Sequence, residues 1–472
     1  MEDLREKIIR DILGRDDIEL SGDQQDALRD FLHFFNSNEN RSSFLLTGSA
    51  GTGKTFLINI FSEFMRKMGF KVILLAPTGR AAKVISRRTK RLAYTIHHHI
   101  YSPKENAMGN LYFSLKENKA PNRTVYIVDE ASMIGDQGDE TSSNSLLRDL
   151  LTFVFQGDES RKLILVGDPV QLPPIGHKES PGLEPKSLHA ASFLELTHAH
   201  LTEVKRQLVD SEVLENAVLI RDAYLSGDYM SLQLQPGREV QILENAYEGI
   251  EIYMGYFQEG NLDRVVFITY SNYQATKINQ AIRHQMWGYE DKLISSDVLM
   301  VVKNNYAWGD QKRLPFIANG EMCTVREVYP ESLEERYGLS WMDVELEFID
   351  VKGEPMRVEC KVVLNLLTEK QAQIDPGLMR QIQYDRANEY AALPKTQAVA
   401  MMRTDPYVNA LQVKYGYAIT GHKSQGGQWE NAIIGFEPDY GQNLAAYTRW
   451  TYTVFTRAES RVFLLNCPFN QD

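Results

Sequence analysis

The chain is poor in the residues that mark an oxidised or membrane-bound protein. It has three cysteines, Cys323, Cys360 and Cys467, far apart and without metal-ligand spacing. That argues against a disulfide framework or a zinc site and suits a reducing compartment. No run of about eighteen apolar residues occurs, so no membrane-spanning helix is expected. The charged start, from Met1 to Lys7, holds no apolar signal segment. A cytosolic protein is the expectation. Excess positive charge is missing too: 51 Lys and Arg face 63 Asp and Glu, a net charge of −12. Such a chain does not coat nucleic acid by bulk charge. A narrow groove of neutral groups, backbone amides and a few lysines stays open to it.

What is present is size and ordinary globular composition. A chain of 472 residues with 43% hydrophobic content is too long for one core, and two to four domains are expected. The most specific stretch is Gly48-Ser-Ala-Gly-Thr-Gly-Lys-Thr55. A short apolar strand, Ser43–Leu46, precedes it, and Phe56–Phe61 opens a helix. This order defines a phosphate-binding loop. Glycine lets the backbone curl so that consecutive N–H groups face an anion, and the helix start adds its positive end. Lys54 is expected to reach the β- and γ-phosphates, and Thr55 to hold Mg²⁺ through its hydroxyl.

Further strand–helix pairs follow. Lys71–Ala76 is an apolar strand ending at Pro77-Thr-Gly-Arg80. Thr124–Val128 ends at Asp129-Glu130, which supplies a metal-shell carboxylate and then a base that orients water. Lys162–Val166 ends at Gly167-Asp-Pro-Val-Gln171, where a glutamine in a proline-bounded loop is placed to sense a γ-phosphate. Strand then helix, repeated, implies a parallel sheet covered on both faces, with ligands at the carboxyl ends of the strands. The insertion from Ile100 to Asn122 reads as a hairpin with its turn at Asn106–Asn110. Its returning residues Tyr112 and Phe113 either stack on bases or pack on the parent domain. His97-His98-His99 invite a metal reading, but adjacent side chains diverge and no carboxylate or cysteine is near in sequence. A second α/β half begins near Leu201. From Asp291 to about Gln397 the pattern turns strand-like, which suggests a small inserted β-barrel. Lys414–Thr420 then reads as a return to the parent sheet.

Taken in order, several motifs resemble one family. They are Gln24, Gly48–Thr55, Ala76–Arg80, Thr95-Ile-His97, Val128–Ser132, Gly167–Gln171, Val204-Lys-Arg206, Gly421-His-Lys-Ser-Gln-Gly426 and Tyr452–Arg457. The set is similar to superfamily 1 DNA helicases of the RecD-like and Pif-like (Dda-like) branch, over residues from about 20 to 466.

The resemblance implies an α/β fold with two RecA-like parallel-sheet motor domains. The first would cover 1–200, with a wedge hairpin at 100–122. The second would be split into 201–290 and 411–472, with an SH3-like β-barrel inserted at 291–410. ATP and Mg²⁺ are the implied cofactors, with Thr55 and Asp129 on the metal. Gln24 would read adenine, and Gly48, Ser49, Ala50, Gly51, Thr52, Gly53, Lys54, Thr55 and Phe56 would cradle the nucleotide. Lys54, Glu130, Gln171, Arg206 and Arg457 would act in hydrolysis, the two arginines reaching across a cleft. Pro77, Thr78, Thr95, His97 and His422 would line the single-strand path, with Tyr112 or Phe113 at the fork. The implied activity is 5′→3′ translocation by a monomer on single-stranded and forked DNA, in repair, recombination or replication. Two features depart from the pattern. Arg206 is followed by Gln207 rather than an aromatic, and Asp136–Asn144 is a polar insertion of unassigned role.

Overall fold

The computed structural model describes the chain except residues 1, 15–18, 106–110, 140–141, 205–210, 260–263, 289–292, 309–312, 315, 351–352, 370, 372, 438–442 and 470–472. Side chains are also undescribed at 2–6, 103–105, 111–113, 138–139 and 142–144. Three larger sheets organise it.

The first sheet has six parallel strands in the order Glu195–Leu201, Ser42–Gly48, Lys162–Gly167, Thr124–Val128, Lys71–Ala76 and Ala93–Thr95. The strands Ser42–Gly48, Thr124–Val128 and Lys162–Gly167 are buried at every residue, as a sheet covered on both faces requires. An aromatic cluster fixes one face. Phe31 of the helix Gly22–Asn36 stacks on Phe61 of the helix Lys54–Lys67, with centroids 4.0 Å apart, and Phe34, Phe44 and Phe64 close around them. Each fully buried phenylalanine contributes roughly 1.5–3 kcal/mol. The cluster therefore sets the N-terminal helix firmly beside the phosphate-binding loop. Lys162 reaches under it and donates to the Phe34 and Ser37 carbonyls at the helix end. The Ser37 amide also reaches the Phe34 carbonyl, at 3.3 Å, so the ammonium adds to the cap at this helix end.

The second sheet has five parallel strands in the order Val240–Leu243, Ala458–Leu465, Trp429–Gly435, Val265–Thr269 and Ala418–Thr420. Between its strands Val265–Thr269 and Ala418–Thr420 the chain leaves to build the third sheet. This one is antiparallel, in the order Pro355–Val363, Leu339–Ile349, Met322–Arg336, Val298–Val301 and Val413–Tyr415. A bridge between Val362 and Leu411 links its two outer edges, so the sheet curls into a small barrel. Buried Asp297 ties that barrel to the second sheet's layer. It takes two bonds from Arg283 at 2.8 and 3.0 Å and one from the Tyr417 hydroxyl at 2.7 Å.

Two readings of this region differ from the sequence expectation. Pro376–Glu389 and Lys395–Arg403 are helices, although the stretch to Gln397 read as strand-like. Val413–Tyr415 completes the barrel, so the chain rejoins the parent sheet only at Ala418. Alternation over the true strands masked both, because a three-residue strand carries no period of its own. Tyr101–Glu105 and Leu111–Leu115 pair as an antiparallel hairpin, and the expected turn at 106–110 lies outside the described residues. Within the polar insertion, Gly138–Asp139 pairs with Ser142–Ser145. Among the described residues no helix is long and apolar enough to cross a membrane.

Candidate functional site: a nucleotide crevice and a neighbouring groove

A crevice of about 320 Å³ opens where the carboxyl ends of the first sheet meet the second. Ala50, Gly51, Gly53, Lys54, Thr55 and Phe56 form one wall, and Asp129, Glu130 and Gln171 the floor. Gly426, Gln428, Thr456 and Arg457 close it from the second sheet's side. Gly48, Ser49 and Thr52 belong to the same loop but are not among the residues lining the crevice. Gly48 packs so tightly that a Cβ there would lie 2.8 Å from the Leu201 carbonyl. Gly51 and Gly53 have φ of 79° and 87°, the left-handed region that the loop's inward curl needs. Lys54 curls back and donates to the Gly48 and Ser49 carbonyls at 2.7 and 2.9 Å.

Gln24 is fully buried behind this loop. Its Nε2 donates to the Thr52 carbonyl at 2.9 Å and its Oε1 accepts from the Ser21 amide. The Ser21 hydroxyl accepts from the Gln24 amide in return, a capping box that fixes the helix start.

Asp129 and Glu130 follow a buried strand. Glu130 has φ of 55°, a costly conformation for a residue with a side chain, and such strain gathers at working sites. Burial, and then the charge of Glu130, push the Asp129 carboxyl up to about 7. Two acidic groups this crowded call for a cation. A hard oxygen set of Thr55 hydroxyl and Asp129 carboxylate, with room for phosphate oxygens and water, is the chemistry Mg²⁺ takes. Gln171 is buried, and its Oε1 has no hydrogen-bond partner among the described residues. A buried acceptor left open beside a phosphate loop is a contact waiting for a ligand.

Arg457 is 2% exposed. Among the described residues its guanidinium donates only to neutral groups: the Thr453 carbonyl, the Gly427 carbonyl and the Thr456 hydroxyl. Arg206 lies outside the described residues.

A second cleft, of about 480 Å³, runs beside the crevice. Pro77, Thr78, Thr95, His97 and His422 all line it. Thr78 and Thr95 each cap a helix start, accepting from the Ala81 and His98 amides, which brings both threonines to the groove wall. The three histidines diverge as helical neighbours must. His97 faces the groove, His98 stacks on Phe316 and His99 packs against Tyr126 and Phe153. The Tyr112 and Phe113 side chains lie outside the described residues.

Sequence reasoning missed several groups here. Arg80 stacks on Trp429 at 4.7 Å, and its buried Nη1 has no hydrogen-bond partner among the described residues. Lys423 reaches Asn319 of the barrel, and burial lowers its ammonium to about 8. Arg88, in the crevice, bonds Gln428 across the seam. Arg80 and Lys423 stand inside quoted motifs, so their motif membership was the available signal. Arg88 had none. Trp450 is buried in the second sheet's layer, stacked on Tyr447.

Fold and crevice together define a phosphate-loop nucleotide-binding protein with two parallel-sheet layers meeting at the site. Two family models match in order: an AAA domain at residues 19–229 and a UvrD-like helicase C-terminal domain at 415–465. Both matches agree with the resemblance of the motifs to superfamily 1 helicases.

Similar proteins include an uncharacterized protein of Methanocaldococcus jannaschii, 23% identical over 89% of this chain and 36% of that one. Another is an ATP-dependent RecD2 DNA helicase of Deinococcus radiodurans, 32% identical over 35% of this chain and 21% of the relative. The chain thus spans about a third and a fifth of these relatives' lengths. An uncharacterized protein of Acanthamoeba polyphaga mimivirus is 22% identical over 93% of this chain and 98% of its own. Among solved structures, a Bacteroides Pif1 helicase in complex with ADP-AlF3 and ssDNA is 16% identical, with a TM-score of 0.48. It covers 96% of this chain and 94% of that one.

Proposed function

We propose that this chain is an ATP-driven motor that moves along single-stranded DNA and separates duplex DNA at forks. The observation that carries the reading is the position of Arg457. It comes from the second sheet's side, pairs with no carboxylate among the described residues, and borders the same crevice as Lys54, Asp129 and Glu130. Phosphoryl transfer needs positive charge where it develops on the γ-phosphate. A cation supplied across a seam ties that step to closure of the two lobes.

In this reading Lys54 and the loop amides hold the phosphates, and Gln24 lies toward the adenine. Mg²⁺, when bound between Thr55 and Asp129, offsets phosphate charge. Glu130 orients the attacking water, Gln171 meets the γ-phosphate through its side-chain N–H groups and leaves Oε1 to accept from that water, and Arg206 joins Arg457. The motor lobes are residues 1–200, and 201–290 with 411–472. The barrel at 291–410 is of the SH3-like type, and the hairpin at 100–122 is the wedge, with Tyr112 or Phe113 at the fork.

The groove lined by Pro77, Thr78, Thr95, His97 and His422 takes the strand through neutral contacts, so sequence matters little. The polarity is 5′→3′, and one chain suffices for a step.

The test is ATP turnover with and without single-stranded DNA, joined to strand separation on substrates with opposite tails. Stimulation by DNA and unwinding from a 5′ tail are expected. Turnover indifferent to DNA would reduce the chain to a nucleotide-gated binding module.

A further inference from the structure

The loop 168–174 lies between the two clefts. It carries Gln171 into the crevice and Pro173 and Pro174 into the groove. Its main chain is held from the second lobe. Arg449 donates to the Pro169 carbonyl at 2.7 Å and the Gln171 carbonyl at 2.8 Å. The Leu172 amide donates to the Thr453 hydroxyl at 2.8 Å, and Gln425 donates to the Leu172 carbonyl at 2.7 Å. Arg449 and Thr453 both stand on the helix Leu444–Phe455.

Tyr452, on the same helix, crosses the seam in a different way. Its hydroxyl donates to Asp168 Oδ2 at 2.7 Å and accepts from the Ala50 amide of the phosphate-binding loop at 2.9 Å. A hydroxyl has one proton to give, so these two bonds fix its orientation. Asp168 is fully buried, its other oxygen accepts from the Val170 amide, and no lysine or arginine among the described residues pairs with it. A buried carboxylate so placed depends on the Tyr452 O–H.

We propose that Tyr452 is a positioning residue that transmits the state of the phosphate-binding loop to the Gln171 loop, through the one hydroxyl shared by Ala50 and Asp168. The inference rests on the crevice being a nucleotide site. An arriving phosphate draws Lys54 off the Gly48 and Ser49 carbonyls that it now bonds. The loop rearranges next to Ala50, the hydroxyl follows its amide, and Asp168 gains or loses its donor. Because Arg449 and Thr453 grip the loop from the helix that carries Tyr452, crevice and groove shift together.

Amide hydrogen exchange on the full chain tests this, with and without a saturating non-hydrolysable ATP analogue and Mg²⁺. In the natural protein, the analogue is expected to slow exchange in both 48–57 and 168–174, the latter roughly ten-fold. In Tyr452→Phe, which keeps the ring in its packing, 48–57 still responds and 168–174 does so by less than about a third as much. Asp168→Ala removes the acceptor itself from the other side, gives the same uncoupling, and carries the test should Tyr452→Phe not fold. A full response of 168–174 in the variants, or none in the natural protein while 48–57 responds, overturns the relay. Loss of DNA-stimulated turnover with the relay intact overturns the motor reading alone. A loop at 48–57 that ignores the analogue overturns both.

Discussion

The crevice and the groove lie side by side at the same seam, yet they are built from opposite materials. The crevice concentrates charge: Lys54, Arg88 and Arg457 face Asp129 and Glu130. The groove is lined by prolines, threonines, asparagines and histidines, with Arg80 and Lys423 as its only formal cations among the lining residues. A phosphoryl-transfer site must place full charges against a small, highly charged ligand. A path for a sliding strand must avoid holding any one phosphate too well, so neutral donors and apolar walls suit it. On the function proposed above, the difference is how a protein of net charge −12 would offer a polyanion a path.

The contrast breaks most plainly at the cations of the crevice. Arg457→Ala and Lys54→Ala are each expected to lower ATP turnover by ~10³-fold or more in steady-state assays. Equal turnover in Arg457→Ala would remove the cross-seam finger.

Gly426 sharpens the comparison because it borders the crevice while the preceding Gln425 borders the groove. Its φ is 71°, and a Cβ there would lie 2.7 Å from the Ala81 Cβ of the opposite lobe. Gly426→Ala is expected to hold the lobes apart and lower DNA-stimulated turnover by ~10- to 100-fold, with added strain of about 1–3 kcal/mol seen as a lower Tm.

Groove contacts are shared among many groups, so single losses are smaller. Lys423→Ala is expected to weaken single-strand binding about three- to ten-fold and to reduce its salt dependence by roughly one counterion, as read by fluorescence titration at several salt concentrations.

The mildest effect concerns His98 and His99. Burial, with Lys116 nearby, holds both rings down to about 4, against 6.5 in an open chain. Between those values the unfolded chain binds more protons. Stability therefore rises with pH across that window and is lost as pH falls through it. His99→Phe is expected to flatten the fall in Tm between pH 6.5 and about 4. An unchanged slope would place the titration elsewhere.

Much of the crevice was legible because its parts sit in short contiguous motifs at strand ends. A phosphate loop needs glycine, lysine and threonine in fixed order, since consecutive amides do the binding. Arg88 and Arg449 were illegible for the reverse reason. Each acts by reaching another lobe, and nothing in its local sequence names the partner. The barrel's last strand, Val413–Tyr415, was assigned to the wrong sheet because three residues fit either.

By itself, the order of residues determined the local chemistry: which strands end in a phosphate loop, in paired carboxylates, and in a glutamine between prolines. Side-chain type and backbone freedom act over a few residues, so a linear reading captures them. Only the tertiary structure decided which of these ends face one another across the seam. It alone set Tyr452 between Ala50 and Asp168 and split one surface into a charged crevice and a nearly neutral groove. Those relations depend on packing between lobes hundreds of residues apart, where the burial of whole sheets, and not the local sequence, sets the distances.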